Sequence, residues 1–399
     1  MKRSTDRILT THAGSLPRPE GLRDIVAAKN AGQPYDEADL SGRLESGVSE
    51  IVKQQVESAI DIVNDGELSK PGFSDYVQER MGGLEMRPSR PYASRIAGRD
   101  VSEFPGYFDE TTGFPGSRRR PTGLARMLVS CTSPLSYTGQ DSVQADIENF
   151  KAALQGVSVE ESFLPAIAPG TIEHWLQNEH YPDDESFLFA VADVMHEEYK
   201  AIVDSGLLLQ IDDPDLGDGW QIHNNLNVAD YRKYAELRVD ALNHALRGLP
   251  ADRMRLHVCW GSYHGPHLYD IPLTDIVDLI FKVNVGAYSI EASNPRHEHE
   301  WKVFEDVKLP EGTLLIPGVV GHATDFIEHP ELVAQRIASL GTPIYWERKT
   351  SSPERIADWE PEWATPRYAG PSSRPWRKGR RLPPSNSGAK ELHHETQHR

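Results

Sequence analysis

The sequence predicts an α/β protein whose strands form a (β/α)8 TIM barrel, and three observations carry that expectation. Short apolar runs alternate with longer segments of helical periodicity, the rhythm of βα units around a parallel sheet. Polar residues stand at the carboxyl end of nearly every apolar run: His12 and Ser15, Asp65 and Glu67, Asp212 and Asp213, His257 and Cys259, and Glu291. In a barrel that rim carries the chemistry, assembled from the ends of several strands. The length, 399 residues, suits one large barrel with insertions.

The strand candidates are ILTTHAGS (8–15), IDIVNDGE (60–67), SFLPAIAP (162–169), LLLQIDD (207–213), RLHVCWG (255–261), AYSIEAS (287–293) and TLLIPGVV (313–320). Each is a short run rich in aliphatic residues, as a strand buried on both faces requires. Between them, residues 42–59, 186–206, 228–249, 273–283 and 329–340 repeat apolar positions at three-to-four spacing and predict helices. Residues 85–140 break the rhythm with Pro, Gly and Arg, which predicts an inserted hairpin with loops. The expected organisation is a barrel over 1–340 with that insertion, then a tail over 341–399. A closed barrel needs eight strands, and only seven precede the change of character at the tail.

Composition narrows the function. A hydrophobic content of 38% supports a substantial core, and a formal net charge of −18 argues against a nucleic-acid surface. Two cysteines, Cys131 and Cys259, argue against a disulfide framework and suit a reducing compartment. The opening MKRSTDRILTTHAGS has no apolar signal region, and no run reaches the length of a membrane span. A cytoplasmic enzyme acting on small molecules, without nucleic-acid or membrane partners, is the expectation.

Within LHVCWG, His257 and Cys259 are separated by two positions and project from one face of a strand. An imidazole and a thiolate in one space suit a soft metal such as zinc. The alternative is a buried thiol acting as a small hydrophobe beside a histidine that bonds a loop carbonyl. Two ligands alone leave both readings open.

Five motifs taken in order, THAGSLPRP, NDGELSKPGFSDYV, LQIDDPDL, LHVCWG and IEAS, resemble the catalytic barrel of the cobalamin-independent methionine synthases. They are also similar to the shorter single-barrel relatives that include the epoxyalkane:coenzyme M transferases. The likeness spans about residues 8 to 340. It implies an enzyme in which Zn2+ activates a thiol as alkyl acceptor, with homocysteine methylation by a methyltetrahydrofolate-type or other donor as the first expectation. His257, Cys259 and Glu291 would be metal ligands by this resemblance. Gly14 and Ser15 would contact the amino-acid acceptor, Glu67 and Asp212 would grip its ammonium, Asp212 would also be catalytic, and Trp175 would stack on the donor. The catalytic histidine after the seventh strand meets GVVGHATD here, where His322 lies one position off and Ala323 takes the aligned place.

Each residue has a plainer reading too. Glu291 is a rim carboxylate beside Arg296, the DGE turn is a helix cap, the IDDP strand end pairs with a nearby Lys or Arg, and Trp175 is a rim aromatic. If the acceptor were coenzyme M, its sulfonate would want Lys70 or Arg18 instead of carboxylates. His297 and His299 in PRHEHEW are expected at the solvated start of a helix, since alternate residues diverge there. Cys131 is expected to be a core thiol.

After residue 340 the chain carries four of its eight Trp among many Pro and Arg, without strand or helix periodicity. A disordered basic tail is one reading, but such tails are poor in Trp. By resemblance, an eighth strand and a fourth zinc ligand in a DCG motif belong here. Permitted codons for residues 348–388, read from each codon's third base, spell a strand, a DCG turn and an amphipathic helix. The single Trp codon forces Leu-Gly after Asp358, and a Cys codon is permitted under Ile356 and Ala357. A reading frame shifted from about Gly341 is therefore expected, leaving three protein zinc ligands, weakened zinc affinity and a catalytically impaired barrel. Sequencing the gene across codon 341 checks this: codons that cannot spell the DCG strand in the alternative frame would refute it.

Overall fold

The computed structural model describes residues 1–344 except 6, 89–97, 111–126, 263, 322 and 324–325. The tail beyond Ile344 and the candidate His322 lie outside the described residues. In chain order the strands are β1 (Ile62–Val63), β2 (Met81–Pro88), β3 (Met127–Tyr137), β4 (Glu161–Ile167), β5 (Gln177–Asn178), β6 (Leu208–Asp212), β7 (Met254–Val258), β8 (Ala287–Glu291) and β9 (Leu314–Gly318). Six of them form one parallel sheet in the order β1-β4-β6-β7-β8-β9. Thr11 extends this sheet through a parallel bridge to Ile62. All seven expected runs therefore lie side by side in chain order.

The first run is shorter than expected, a single bridge at Thr11. Its threonine side chains add to the tie with the second run: Thr10 Oγ1 donates to the Ala59 carbonyl (2.9 Å) and Thr11 Oγ1 to that of Ile62 (3.0 Å). β1 stops at an Asx turn in which Asn64 Oδ1 accepts the Gly66 N–H at 2.8 Å.

The sheet is curled. Arg255 on β7 donates to Thr11 Oγ1 at 3.2 and 3.3 Å, although four strand intervals separate them. In a flat sheet that span is roughly 19 Å, beyond the reach of one side chain. Beneath the strand starts, the Met1 amino group donates to the Asp252 carbonyl (3.2 Å), the Lys2 N–H to Glu161 (2.8 Å), and Arg3 to the Gly312 carbonyl (2.8 Å). The architecture is thus an α/β fold on a curled parallel sheet, a partial barrel among the described residues.

Helices cover the convex face, where Leu209, Ile211, Leu256, Val258 and Ile290 are buried. Their starts are capped as residue type dictates: Asp36 accepts the Ala38 N–H before Glu37–Glu57, Asp183 that of Ser186 before Asp184–Asp204, and Asn227 that of Asp230 before Val228–Ala245. Residues 273–283, expected as one helix, are instead a 3-10 turn (Leu273–Asp275) and a single helical turn (Val277–Ile280). Six apolar side chains there are buried (Leu273, Ile276, Val277, Leu279, Ile280 and Val283), so the periodic pattern reflected burial, not a continuous helix.

A second, three-stranded sheet forms an arm, with β2 antiparallel to β3 and β5 parallel to β3. Its register shifts between Gly82 and Leu84, where Gly83 has φ +92° and a Cβ would meet the Pro134 carbonyl oxygen at 2.7 Å. Cys131 lies in β3 with no exposure, its thiol donating to the Ser133 carbonyl, which is the core thiol expected. No helix among the described residues is long and apolar enough to cross a membrane.

A buried cluster ties the arm to the helical layer. Arg80 pairs with Asp146 (2.5 Å) and Glu198 (3.3 Å), and Glu198 also accepts the Tyr76 and Tyr137 hydroxyls at 3.1 and 2.8 Å. Removing one member strands the others out of water. Glu198→Ala is expected to destabilise the fold by about 3–5 kcal/mol, measured by urea unfolding.

Candidate active site

Strand register sets the site. Asp212 on β6 lies level with His257 on β7, which lies level with Ser289 on β8, and Glu291 lies level with Gly318 on β9. Partners in a parallel ladder point the same way, and alternation places Gln210, Asp212, Arg255, His257, Cys259, Ser289 and Glu291 on the concave face. The structure places His257, Cys259 and Glu291 at the ends of the adjacent strands β7 and β8. Cys259 and Glu291 are buried, and His257 is half-buried.

Glu291 Oε2 accepts the backbone N–H of Trp260 at 3.2 Å, while His257 Nδ1 lies 3.4 Å from Ser289 Oγ. Arg296, the alternative neighbour of Glu291, is exposed and donates to the Leu268 carbonyl. Burial, followed by the Glu291 carboxylate, pushes the Cys259 thiol well above its ordinary pKa. Among the described residues no three His, Cys, Asp or Glu side chains stand at metal-binding separation. The donor set nevertheless suits zinc in kind: an imidazole, a thiol and a carboxylate on neighbouring strand ends, with the thiol held protonated by the burial and negative charge that a cation would offset.

The second part of the site is the turn 64–70. Asp65 Oδ1 accepts the Glu67 N–H at 3.0 Å, and Gly66 and Glu67 both have positive φ, +69° and +55°. Glu67 is thus a buried non-glycine residue held in the left-handed region, a strained arrangement of the sort that clusters at functional sites. Its carboxylate acts on Asp212: burial first, then Glu67, drives the Asp212 carboxyl well above the usual range. Two buried acidic side chains therefore repel one another in this part of the molecule.

The nearby cations are engaged. Arg18 donates to the carbonyls of Leu68 (3.0 Å), Glu67 (3.1 Å) and Lys70. Lys70 donates to the Pro165 carbonyl, lies over the Tyr76 ring, and stands 4.0 Å from Glu67 Oε2. Gly14 and Ser15 lie exposed on the loop after Thr11, which the Leu16 N–H ties to the Gly66 carbonyl at 3.0 Å. Trp175 is 41% exposed at the end of the helix Pro169–Trp175, beside the His174 ring.

Known proteins resemble the chain as a whole. No protein family profile matches the chain. It is 26% identical over 315 residues to a methionine synthase of Sulfolobus acidocaldarius, covering 75% of this chain and 79% of that protein. It is 25% identical over 333 residues to a methionine synthase of Sulfurisphaera tokodaii, covering 83% and 80%. A solved B12-independent methionine synthase from Shewanella sp. W3-18-1, in complex with selenomethionine, matches with a TM-score of 0.60 at 19% identity, over 84% of this chain and 87% of that one. A putative vitamin-B12 independent methionine synthase from Listeria monocytogenes matches at 0.56 and 19% identity, over 85% and 89%. The chain is thus similar in sequence to methionine synthases over most of its length and of theirs.

The structure corrects one expectation and adds residues the sequence did not signal. His299 is exposed as expected, but His297 is 3% exposed. Its ring stacks on Trp260 at 3.9 Å between centroids, with Nδ1 2.8 Å from Glu300 and Nε2 3.0 Å from Asp270. A 3-10 segment over Glu298–Lys302 sends the two histidines to opposite environments. Asp270 also holds His267 at 2.6 Å and accepts from Gln221 at 2.8 Å. The added residues are Gln210 and Arg255; a polar side chain within or at the start of an aliphatic strand run is the one signal that could have found them.

Burial works against charge on His297, but Asp270 and Glu300 outweigh it and hold its pKa up at about 9, above the ordinary 6.5. A raised histidine stabilises fully below the unfolded value, and that contribution fades as pH rises through the folded value. Urea midpoints are therefore expected to fall between pH 6.5 and about 9, and His297→Asn to flatten that fall while lowering stability at pH 6.

Proposed function

We propose that the chain is a zinc-dependent methyltransferase that methylates the thiol of homocysteine, using a methyltetrahydrofolate-type or other methyl donor. The observation that carries the reading is the buried acidic pair Glu67 and Asp212, whose charges repel, with Asp212 on the same concave face as Cys259 and Glu291. Lys70, 4.0 Å from Glu67, offsets part of that charge, and an amino acid's ammonium would offset more. The methionine synthases named above support the same reaction class.

His257, Cys259 and Glu291 would hold the zinc ion. Bound there, zinc lowers the pKa of a coordinated thiol so that the thiolate forms at neutral pH. The remaining work falls to the protein. Glu67 and Asp212 hold the ammonium, Gly14 and Ser15 meet the acceptor at the mouth, and the curled sheet keeps the sulfur facing the rim. Trp175, exposed on the rim, offers a flat apolar face to a planar donor. The methyl group passes to sulfur, and the donor's leaving atom takes a proton. The candidate for supplying that proton, His322, lies outside the described residues.

Alkylation of coenzyme M is less well supported, because its sulfonate would meet two carboxylates while Arg18 and Lys70 are spent on backbone carbonyls. Thiol screens on purified protein test the proposal. Methionine formation from homocysteine is expected, with Asp212→Asn raising KM for homocysteine about 10-fold or more, the scale of losing a charged hydrogen bond. Cys259→Ser is expected to reduce bound zinc measured by atomic emission. Faster turnover of coenzyme M than of homocysteine, or zinc content unaffected by Cys259→Ser, would overturn the reading.

A further inference from the structure

The interior of a parallel barrel is ordinarily filled by branched aliphatic side chains. Here Gln210 and Arg255, level with one another on β6 and β7, occupy that interior with exposures of 0% and 1%. A buried guanidinium is costly unless its donors are used. Arg255 uses them: Nε donates to Gln210 Oε1 at 2.8 Å, Nη1 and Nη2 to Thr11 Oγ1, and Nη2 to the His12 carbonyl at 3.2 Å. Its plane lies over the Phe163 ring at 3.6 Å.

That arrangement dictates which way the glutamine faces. Arg255 can only donate, so it must meet the amide oxygen of Gln210, and the amide nitrogen is turned the other way. Gln210 Nε2 donates to Asp212 Oδ1 at 2.7 Å and to the Ala13 carbonyl at 3.2 Å. One side chain thus touches both halves of the proposed acceptor site: the carboxylate of Asp212, and the loop whose next residues are Gly14 and Ser15. The hydrogen bond engages Oδ1 and leaves Oδ2 for a second partner.

We infer that Arg255 and Gln210 form a positioning relay that orients Asp212 and the 13–15 loop together, and so sets the preference of the site for an amino-bearing acceptor. The inference rests on the proposed acceptor site and adds two residues to it. Arg255 locks the amide, the amide locks the carboxylate, and the carboxylate meets the ammonium. Neither relay residue touches the acceptor.

Binding of L-methionine and of its desamino analogue 4-(methylthio)butanoate, measured by calorimetry on the full chain, tests this. The wild type is expected to prefer methionine. Gln210→Met, similar in length but without the two donors, is expected to weaken methionine binding by about 10-fold or more while changing binding of the analogue by less than about 2-fold. Arg255→Lys, which keeps the charge but loses the fork, is expected to move the same preference in the same direction, and it carries the comparison if Gln210→Met does not fold. Equal losses for both ligands, or an unchanged preference in a folded variant, would overturn the relay. A wild type that binds both ligands equally would instead overturn the acceptor reading, and the relay with it.

Discussion

The span of Arg255 across the concave face is the interaction on which the rest of the structure depends. It joins β7 to the Thr11 segment, four strand intervals away, and a parallel sheet can satisfy that bond only by curling. Curling turns the strand ends toward one another and brings the 64–70 turn opposite β6. The first segment has little ladder of its own, a single bridge residue. Hydrogen bonds from Arg255 and Gln210 to Thr11, His12 and Ala13 take the place of the missing rungs. A guanidinium serves here because its donors fan out in a plane and reach several acceptors at once.

Acidic groups gather around the same face. Burial and mutual repulsion push Asp212 and the Cys259 thiol toward their protonated forms, and burial likewise raises Asp65 and Asp213 to about 7. The chain holds this concentration of negative charge with hydrogen bonds from neutral donors: the Trp260 N–H on Glu291, the Gln210 amide on Asp212 and the Thr171 hydroxyl on Asp213. Arg18 is directed to carbonyls that shape the turn, and Lys70 divides itself between the Pro165 carbonyl and the Glu67 carboxylate. Such a site is arranged to gain from bound cations, whether an ammonium or a metal ion.

Much of this was legible in one dimension. Strands buried on both faces are written as short aliphatic runs, which is why all seven were found and why their order in the sheet follows their order in the chain. His257, Cys259, Asp212 and Glu67 were legible because each closes such a run, where a parallel sheet places its functional groups. Legibility failed where local pattern and tertiary environment diverge. His297 sits in a charged stretch, yet the Trp260 ring and the Asp270 carboxylate from another segment, with Glu300 of its own, bury it. The 273–283 segment repeats like a helix but is broken, because a buried turn can carry the same apolar spacing.

The sequence by itself determined the parallel α/β class and the main run of strands in chain order, since period and punctuation are local properties. It did not single out Gln210 or Arg255. Only the tertiary structure decided that Arg255 donates to Gln210, that Gln210 donates to Asp212, and that the Glu67 charge bears on Asp212. Those contacts join residues 45 to 244 positions apart, or two positions apart on one face, and sheet curvature and register alone bring them into reach.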